Sequence, residues 1–186
     1  MIVECKNYND DSKLTEYNLT DALHLESFAM AHYFELAASV TRKTRNVCGY
    51  TYTKTAMGKR IWSKHRGFIY IICANNRIVK IGQGESTIQS RFSSYTAGAK
   101  KNRKKGTCSV TNWVVSEFFR TCLEMGIELD IYVCPVPETT TIIEALGREI
   151  EAHNKHAYAY EAVALAEYEE HCGMKPMLCK NTSQVE

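Results

Sequence analysis

The chain has 186 residues, of which 45% are hydrophobic and 24% charged, with only 10 glycines and 3 prolines. That composition supports one buried core and excludes a disordered tail, a collagen-like repeat and a disulfide miniprotein. The net charge of +2 hides a segregation of sign. Residues 37 to 116 hold sixteen Lys or Arg against one acid, Glu85, a local charge of +15, while the rest of the chain carries −13. A field divided in this way suits a polyanion partner, because each neutralised phosphate releases condensed counterions. Tyr50, Tyr52, Trp62, Tyr70 and Tyr95 are interleaved with those cations, which points to nucleic acid.

No apolar run approaches the roughly 18 residues a membrane helix needs, and MIVECKNYNDDSK lacks the basic and apolar parts of a secretory signal. The expectation is a cytoplasmic protein with no membrane association. Eight cysteines (Cys5, Cys48, Cys73, Cys108, Cys122, Cys134, Cys172 and Cys179) include no CxxC pair. Several sit in apolar runs such as IYIICA, so they are expected as reduced core thiols.

In chain order, residues 1–11 are polar. From Leu14 to Val40, Leu23, Phe28, Ala31, Phe34, Ala37 and Ala38 recur at helical spacing, with Thr20 and Asp21 as an N-cap, which predicts one or two helices. Residues 41–66, which include Arg42, Lys43 and Arg45, are basic without a clean period and read as an arm that lies on DNA. Residues 1–66 are thus expected as a helical extension with a basic arm, and residues 67–186 as the core.

Phe68 to Cys73 and Arg77 to Gly82 are strands joined at Ala74-Asn75-Asn76 as a hairpin. Thr87 to Tyr95 is a helix ending near Gly98, and Lys100 to Lys105 a basic loop. Ser109 to Met125 is an amphipathic helix stopped by Gly126, and Glu128 to Pro135 is a third strand. Thr141 with Glu144 makes a capping box for a helix through His153. A last helix runs from Ala157 to Glu170, stopped by Gly173 and Pro176. The plan is α+β: a small antiparallel sheet flanked by helices, with a helical N-terminal extension.

Chemistry begins at the hairpin. A two-residue turn opposes Tyr70 to Ile81, whereas a three-residue loop opposes Tyr70 to Lys80 and sets an ammonium beside a phenol, favouring the phenolate. Arg91 and Tyr95 share a helix face four residues apart, a donor fork and a hydroxyl suited to phosphate. Glu161, flanked by Tyr160, Ala162 and Val163, is a carboxylate in apolar company that needs a cation, and one carboxylate can hold one hydrated Mg²⁺. Glu144 with Arg148 and Glu151 with Lys155 are solvated i,i+4 pairs. His153 with His156 lacks the hairpin of a histidine nuclease site, and His171, Cys172 and Cys179 have the makings of a zinc site but read better as a helix end with core thiols.

Phe68-Ile69-Tyr70, Lys80-Ile81-Gly82, Arg91, Tyr95 and a distal Glu, at spacings of 10, 11 and 4, together resemble the GIY-YIG nuclease superfamily. The departure is Lys80, where most members carry the tyrosine of the second motif. With residues 106–112 (GTCSVTN) after a basic stretch and Lys175-Pro176 near the end, the chain is similar to a type II restriction endonuclease branch. The resemblance covers roughly residues 67–182 and assigns residues 1–66 to DNA embrace or dimer contacts. It implies a site-specific endonuclease for double-stranded DNA that uses one divalent ion, Mg²⁺ with Mn²⁺ as a substitute, and acts as a homodimer on a short palindrome. In it Tyr70, Lys80, Arg91, Tyr95 and Glu161 are catalytic and Glu161 holds the metal, with Glu167 second and Glu149 third as candidates. DNA contacts are expected from Lys100, Lys101, Arg103, Lys104, Lys105, Ser109, Asn112, Trp113, Arg42, Lys43 and Arg45. The alternatives are a DNA-binding module with an inactive core, or a repair or homing nicking enzyme.

Overall fold

The computed structural model describes residues 1–43, 49–98, 100–137, 139–154 and 156–179. In chain order its strands and helices are β1 (Ile2–Lys6), β2 (Leu14–Asn18), β3 (Glu35–Arg42), β4 (Tyr50–Lys54), α1 (Ala56–Ile61), β5 (Arg66–Ala74), β6 (Arg77–Thr87), α2 (Ile88–Thr96), α3 (Lys100–Lys104), α4 (Val110–Glu124), β7 (Leu129–Pro135), β8 (Thr139–Ala145), β9 (Arg148–Asn154) and α5 (Ala157–Cys172). Five strands in the order β4-β3-β7-β5-β6 make one antiparallel sheet, while β1 with β2 and β8 with β9 are separate hairpins. The fold is mixed α+β.

β5 lies between β7 and β6, and every position from Gly67 to Ala74 is buried, which is why its sequence is a continuous apolar run. Phe68, Tyr70 and Ile72 face a core with Phe92 and Tyr95 of α2 and Phe118 and Phe119 of α4. Ile69, Ile71 and Cys73 face a second core with Ala157, Ala164 and Tyr168 of α5 and with Leu23, Phe28 and Phe34. Helices therefore cover both faces of the sheet.

The N-terminal helices are not formed. Leu14–Asn18 is a strand, and three single 3₁₀ turns (Leu19–Asp21, Leu25–Ser27 and Ala31–Tyr33) lead into β3. The residues at helical spacing are nonetheless mostly buried, Phe28 and Phe34 by winding over the second core. Ala37 and Ala38 are adjacent and both buried because the β3–β7 register shifts between Leu36 and Ala38; a bulge of this kind erases the two-residue period that marks a strand. The expected basic arm is instead the end of β3, then β4 and α1. Thr55 caps α1 by accepting from the Gly58 N–H at 3.1 Å, and Gly58 sits so close to the Ala37 carbonyl that a Cβ there would lie 1.9 Å from it. β3 and β4, from the first 66 residues, thus belong to the same sheet as the hairpin.

The helix expected from Thr141 to His153 is the β8–β9 hairpin. Leu146 and Gly147 both have positive φ, 55° and 72°, the backbone of a tight hairpin turn, and the Thr139–Ile143 run is β-branched, which outweighs the capping box. The basic stretch expected as a loop is the short helix α3. The seven described cysteines are free thiols, four of them buried; Cys48 lies outside the described residues. No described helix is long and apolar enough to cross a membrane.

Candidate active site

The hairpin register decides which side chains meet. Asn75 and Asn76, at φ 47° and 61°, make a two-residue turn that pairs Ala74 with Arg77 and Cys73 with Ile78. A shift at Val79 then pairs Ile72 with Lys80, Tyr70 with Gly82 and Phe68 with Gly84. Neither register read from the turn holds: Tyr70 opposes neither Ile81 nor Lys80. Without the extra residue, Lys80 would point to the opposite face of the sheet. The bulge turns it onto the face of Tyr70, two pairs along the ladder.

Gly82 and Gly84 answer a requirement of the rings across from them. A Cβ on Gly82 would lie 2.3 Å from the Tyr70 hydroxyl oxygen, and one on Gly84 2.6 Å from the Phe68 ring. The phenol of Tyr70 therefore lies flat over β6 and reaches α2. The signal was present in the sequence as two glycines spaced by two within a strand, at positions 82 and 84.

Thr87 caps α2 by accepting from the Ser90 N–H at 3.2 Å, and the helix buries Ile88, Phe92 and Tyr95 against the sheet. Arg91 lies beside that stripe. Its Nε and Nη2 donate to the Tyr70 hydroxyl at 3.2 and 3.1 Å, and Nη2 also donates to the Tyr95 hydroxyl at 2.9 Å. The two hydroxyls are 2.5 Å apart. Burial, then Tyr70, pushes the Tyr95 phenol well above its usual range despite Arg91. Tyr95 therefore keeps its proton, and when it donates to Tyr70 the Tyr70 oxygen accepts from three donors, two of them on Arg91. Burial works against the charge on Arg91, but Tyr70 and Tyr95 outweigh it, and the group is held more firmly protonated than usual.

Glu161 completes the set from the other side of β6. Ala157, Ala164 and Tyr168 are the buried residues of α5, and Glu161 falls in that stripe at the same four-and-three spacing. Burial raises its carboxyl above the ordinary range while Lys80 and Arg91 pull it down, so the three groups share one field. Among the described residues no hydrogen bond or ion pair holds this carboxylate, and no three His, Cys, Asp or Glu residues cluster as a metal cage. A half-buried carboxylate with no direct partner fits a single hydrated Mg²⁺, an ion that keeps most of its waters. Glu167 lies further along α5, one residue before the buried Tyr168, and Glu149 lies on the exposed β8–β9 hairpin, paired with Glu144.

With this geometry the chain can be compared with solved structures. It is similar to a restriction endonuclease, HPY188I, in complex with product DNA, with TM-score 0.60 and 22% identity over 88% of this chain and 90% of the other. A mutant of bacteriophage T4 EndoII gives TM-score 0.58 and 16% identity over 79% and 96%. At these identities the likeness is one of fold, shared over most of each chain. No family model matches the sequence, and neither does any curated protein.

The residues expected on DNA fall into different places. Trp113 is buried, 2% exposed, so it is a core residue and not a groove contact. Arg103 is held: its guanidinium lies 4.8 Å from the Trp113 ring and 5.6 Å from that of Tyr8, donates to Asp11 at 2.6 Å and reaches the Asn7 carbonyl. Ser109 caps α4 through the Asn112 N–H at 3.2 Å, and Asn112 is half-buried. Tyr95 is wholly buried, with its hydroxyl bonded to that of Tyr70 and to Arg91. Lys104, Lys105, Arg42 and Lys43 are exposed. The side chains of Lys100 and Lys101, and Arg45 as a whole, lie outside the described residues. Lys54, Lys59, Arg60, Lys64 and Arg66, which the sequence placed within the basic arm without singling them out, are all exposed on and around α1. That helix adjoins the start of α2, since the Gln89 N–H donates to the Trp62 carbonyl at 2.8 Å and Trp62 stacks on Phe92 at 5.6 Å.

Proposed function

We propose that the chain is a Mg²⁺-dependent endonuclease that hydrolyses phosphodiester bonds in double-stranded DNA, of the type II restriction class. The observation that carries this reading is the Tyr70 oxygen, held by two Arg91 donors and by Tyr95, with Lys80 and Glu161 in the same field. An oxygen so placed can bear negative charge and take a proton from water, the task of a general base. The charge segregation and a fold shared with a restriction endonuclease in complex with product DNA support DNA as the substrate.

Tyr70 is fully covered, whereas Arg91, bonded to its oxygen, is only partly covered. A scissile phosphate that pairs with the Arg91 guanidinium would draw donors away from Tyr70 and leave an acceptor position for the attacking water. Arg91 would then stabilise the phosphate oxygens as charge develops, the role of a donor positioned before the reaction begins. Lys80, which pairs with Ile72 on the Tyr70 face of β6, brings an ammonium near the place where negative charge develops in the reaction. Glu161 would hold the divalent ion, which when bound supplies charge stabilisation at the leaving 3′ oxygen.

One such site cuts one strand. Cleavage of both strands therefore calls for a homodimer on a palindromic target, the symmetry of the protein matching that of the site. The test is incubation with unmodified plasmid DNA in Mg²⁺ or in EDTA. Discrete fragments in Mg²⁺ alone, with one sequence at their ends, are the expected result. Nicked circles would indicate a repair- or homing-type enzyme, and tight binding without cleavage an inactive module.

A further inference from the structure

β6 is the last strand of the sheet, so one side of its backbone has no neighbouring strand, and such edges are covered in most folds. Two segments cover this one. The Ile78 N–H donates to the Leu23 carbonyl at 2.8 Å. Further along, residues 176–179 take over: the Leu178 N–H donates to the Val79 carbonyl at 2.9 Å. Cys179 then makes with its side chain the two bonds a neighbouring strand would make with its backbone. Its thiol donates to the Ile81 carbonyl at 3.0 Å and accepts from the Ile81 N–H at 3.4 Å. Between these two anchors the Lys80 ammonium, 6% exposed, donates to the Leu178 carbonyl at 2.9 Å.

The position of that carbonyl depends on what fixes the segment. Its turn is closed by the Cys179 N–H on the Pro176 carbonyl at 2.7 Å, and Leu178 is buried in the core. Two ties then join the segment to β6 on either side of Lys80, the Leu178 N–H on the Val79 carbonyl and, beyond the Leu178 carbonyl, the Cys179 thiol on Ile81. We infer that Cys179 is a positioning residue for Lys80: by clipping residues 176–179 to Ile81 it holds the Leu178 carbonyl where it fixes the ammonium on the Tyr70 face. This rests on the nuclease reading of the site and extends it to a residue that touches none of the reacting atoms. A thiol can donate and accept together only while protonated. Burial pushes Cys179 upward against the pull of Lys80, so it acts here as a hydrogen-bonding group and not as a nucleophile.

The test compares Cys179→Ser, which keeps a donor and acceptor, with Cys179→Val, which keeps the volume and loses both bonds, and with Cys179→Ala. Two quantities are read: steady-state DNA cleavage, and acetylation of Lys80 by acetic anhydride followed by mass spectrometry. For the valine and alanine proteins kcat should fall about tenfold, the size of effect expected from losing neutral hydrogen bonds that align a reacting group, with KM for DNA unchanged. Lys80 should become more readily acetylated while exposed lysines keep their rates, and serine should restore both quantities. Should the alanine protein fail to fold, the valine protein makes the same comparison at conserved volume. Wild-type kcat and wild-type Lys80 protection in Cys179→Val would overturn the inference, as would equal impairment of the serine and valine proteins. If the wild-type protein does not cut DNA, the nuclease reading fails, while the acetylation comparison still decides whether Cys179 positions Lys80.

Discussion

Tyr70 has no exposed surface, yet its oxygen accepts from Arg91 Nε and Nη2 and shares a hydrogen bond with the Tyr95 hydroxyl, and that oxygen is where the chemistry is proposed to begin. The ring reaches this position only because Gly82 leaves space for it. Gly82→Ala places a methyl group 2.3 Å from the Tyr70 oxygen, so the ring must move away from Arg91 or β6 must bend. Overpacking of this kind costs on the order of 1–3 kcal/mol, and the displaced phenol loses its alignment as well. The expected result is a lower midpoint in urea together with loss of cleavage. An alanine protein that cuts at the wild-type rate would show that the close fit of Tyr70 over β6 is not needed. Arg103 makes the opposite case. Its type and surroundings in sequence suggested a phosphate contact, but it packs against the rings of both Tyr8 and Trp113 and is bonded to Asp11. Arg103→Ala should therefore cost about 2 kcal/mol of stability and leave the salt dependence of DNA binding unchanged. A flatter salt slope with unaltered stability would return Arg103 to the DNA-binding surface.

Among the elements, those that carry the candidate site were the most legible. β5 and β6 were read from apolar runs around Asn75-Asn76, α2 from Thr87 and its spacing, and Glu161 from its place in an apolar stripe of α5. What sequence could not supply was the Val79 bulge, because a single inserted residue in a strand leaves no trace in composition, and it alone sets which side of β6 bears Lys80. The two elements misread as helices have separate causes. Residues 14–40 repeat their apolar residues at helical spacing, but tertiary packing buries them from extended chain and 3₁₀ turns. Residues 139–154 carry a capping box, yet their β-branched run and the Leu146-Gly147 turn make a hairpin. The last segment, 176–179, was read as a stop to α5 that carries part of the resemblance at Pro176 and a core thiol at Cys179, but not as a cover for β6, since that role depends on the edge of a strand nearly a hundred residues earlier.

For the molecule as a whole, segregated charge is the property that sequence showed most directly, and the structure redistributes its meaning. Lys104 and Lys105 remain exposed, but the larger group of exposed cations is Lys54, Lys59, Arg60, Lys64 and Arg66 around α1, beside the first turn of the helix that bears Arg91. If this ridge follows the DNA backbone to the site, replacing Lys59, Arg60 and Lys64 with alanine should weaken binding to any duplex. Each lost phosphate contact should lower the slope of log K against log salt by about 0.9. Binding measured from low to moderate salt decides it, and an unchanged slope would mean that the DNA runs elsewhere.

The central claim is that Tyr70 acts on water while Glu161 holds the metal, and it is tested most directly by one assay on three proteins. Wild type, Tyr70→Phe and Glu161→Ala would be followed for cleavage of plasmid DNA in Mg²⁺, with DNA affinity measured alongside. Removing a general base typically costs on the order of 10²–10⁴ in rate. The account predicts metal-dependent cutting by wild type, a loss of that size or greater in both variants, and DNA binding close to that of wild type. Cleavage by Tyr70→Phe at the wild-type rate would contradict it, because the phenylalanine ring keeps the packing over Gly82 and removes only the oxygen that Arg91 and Tyr95 surround.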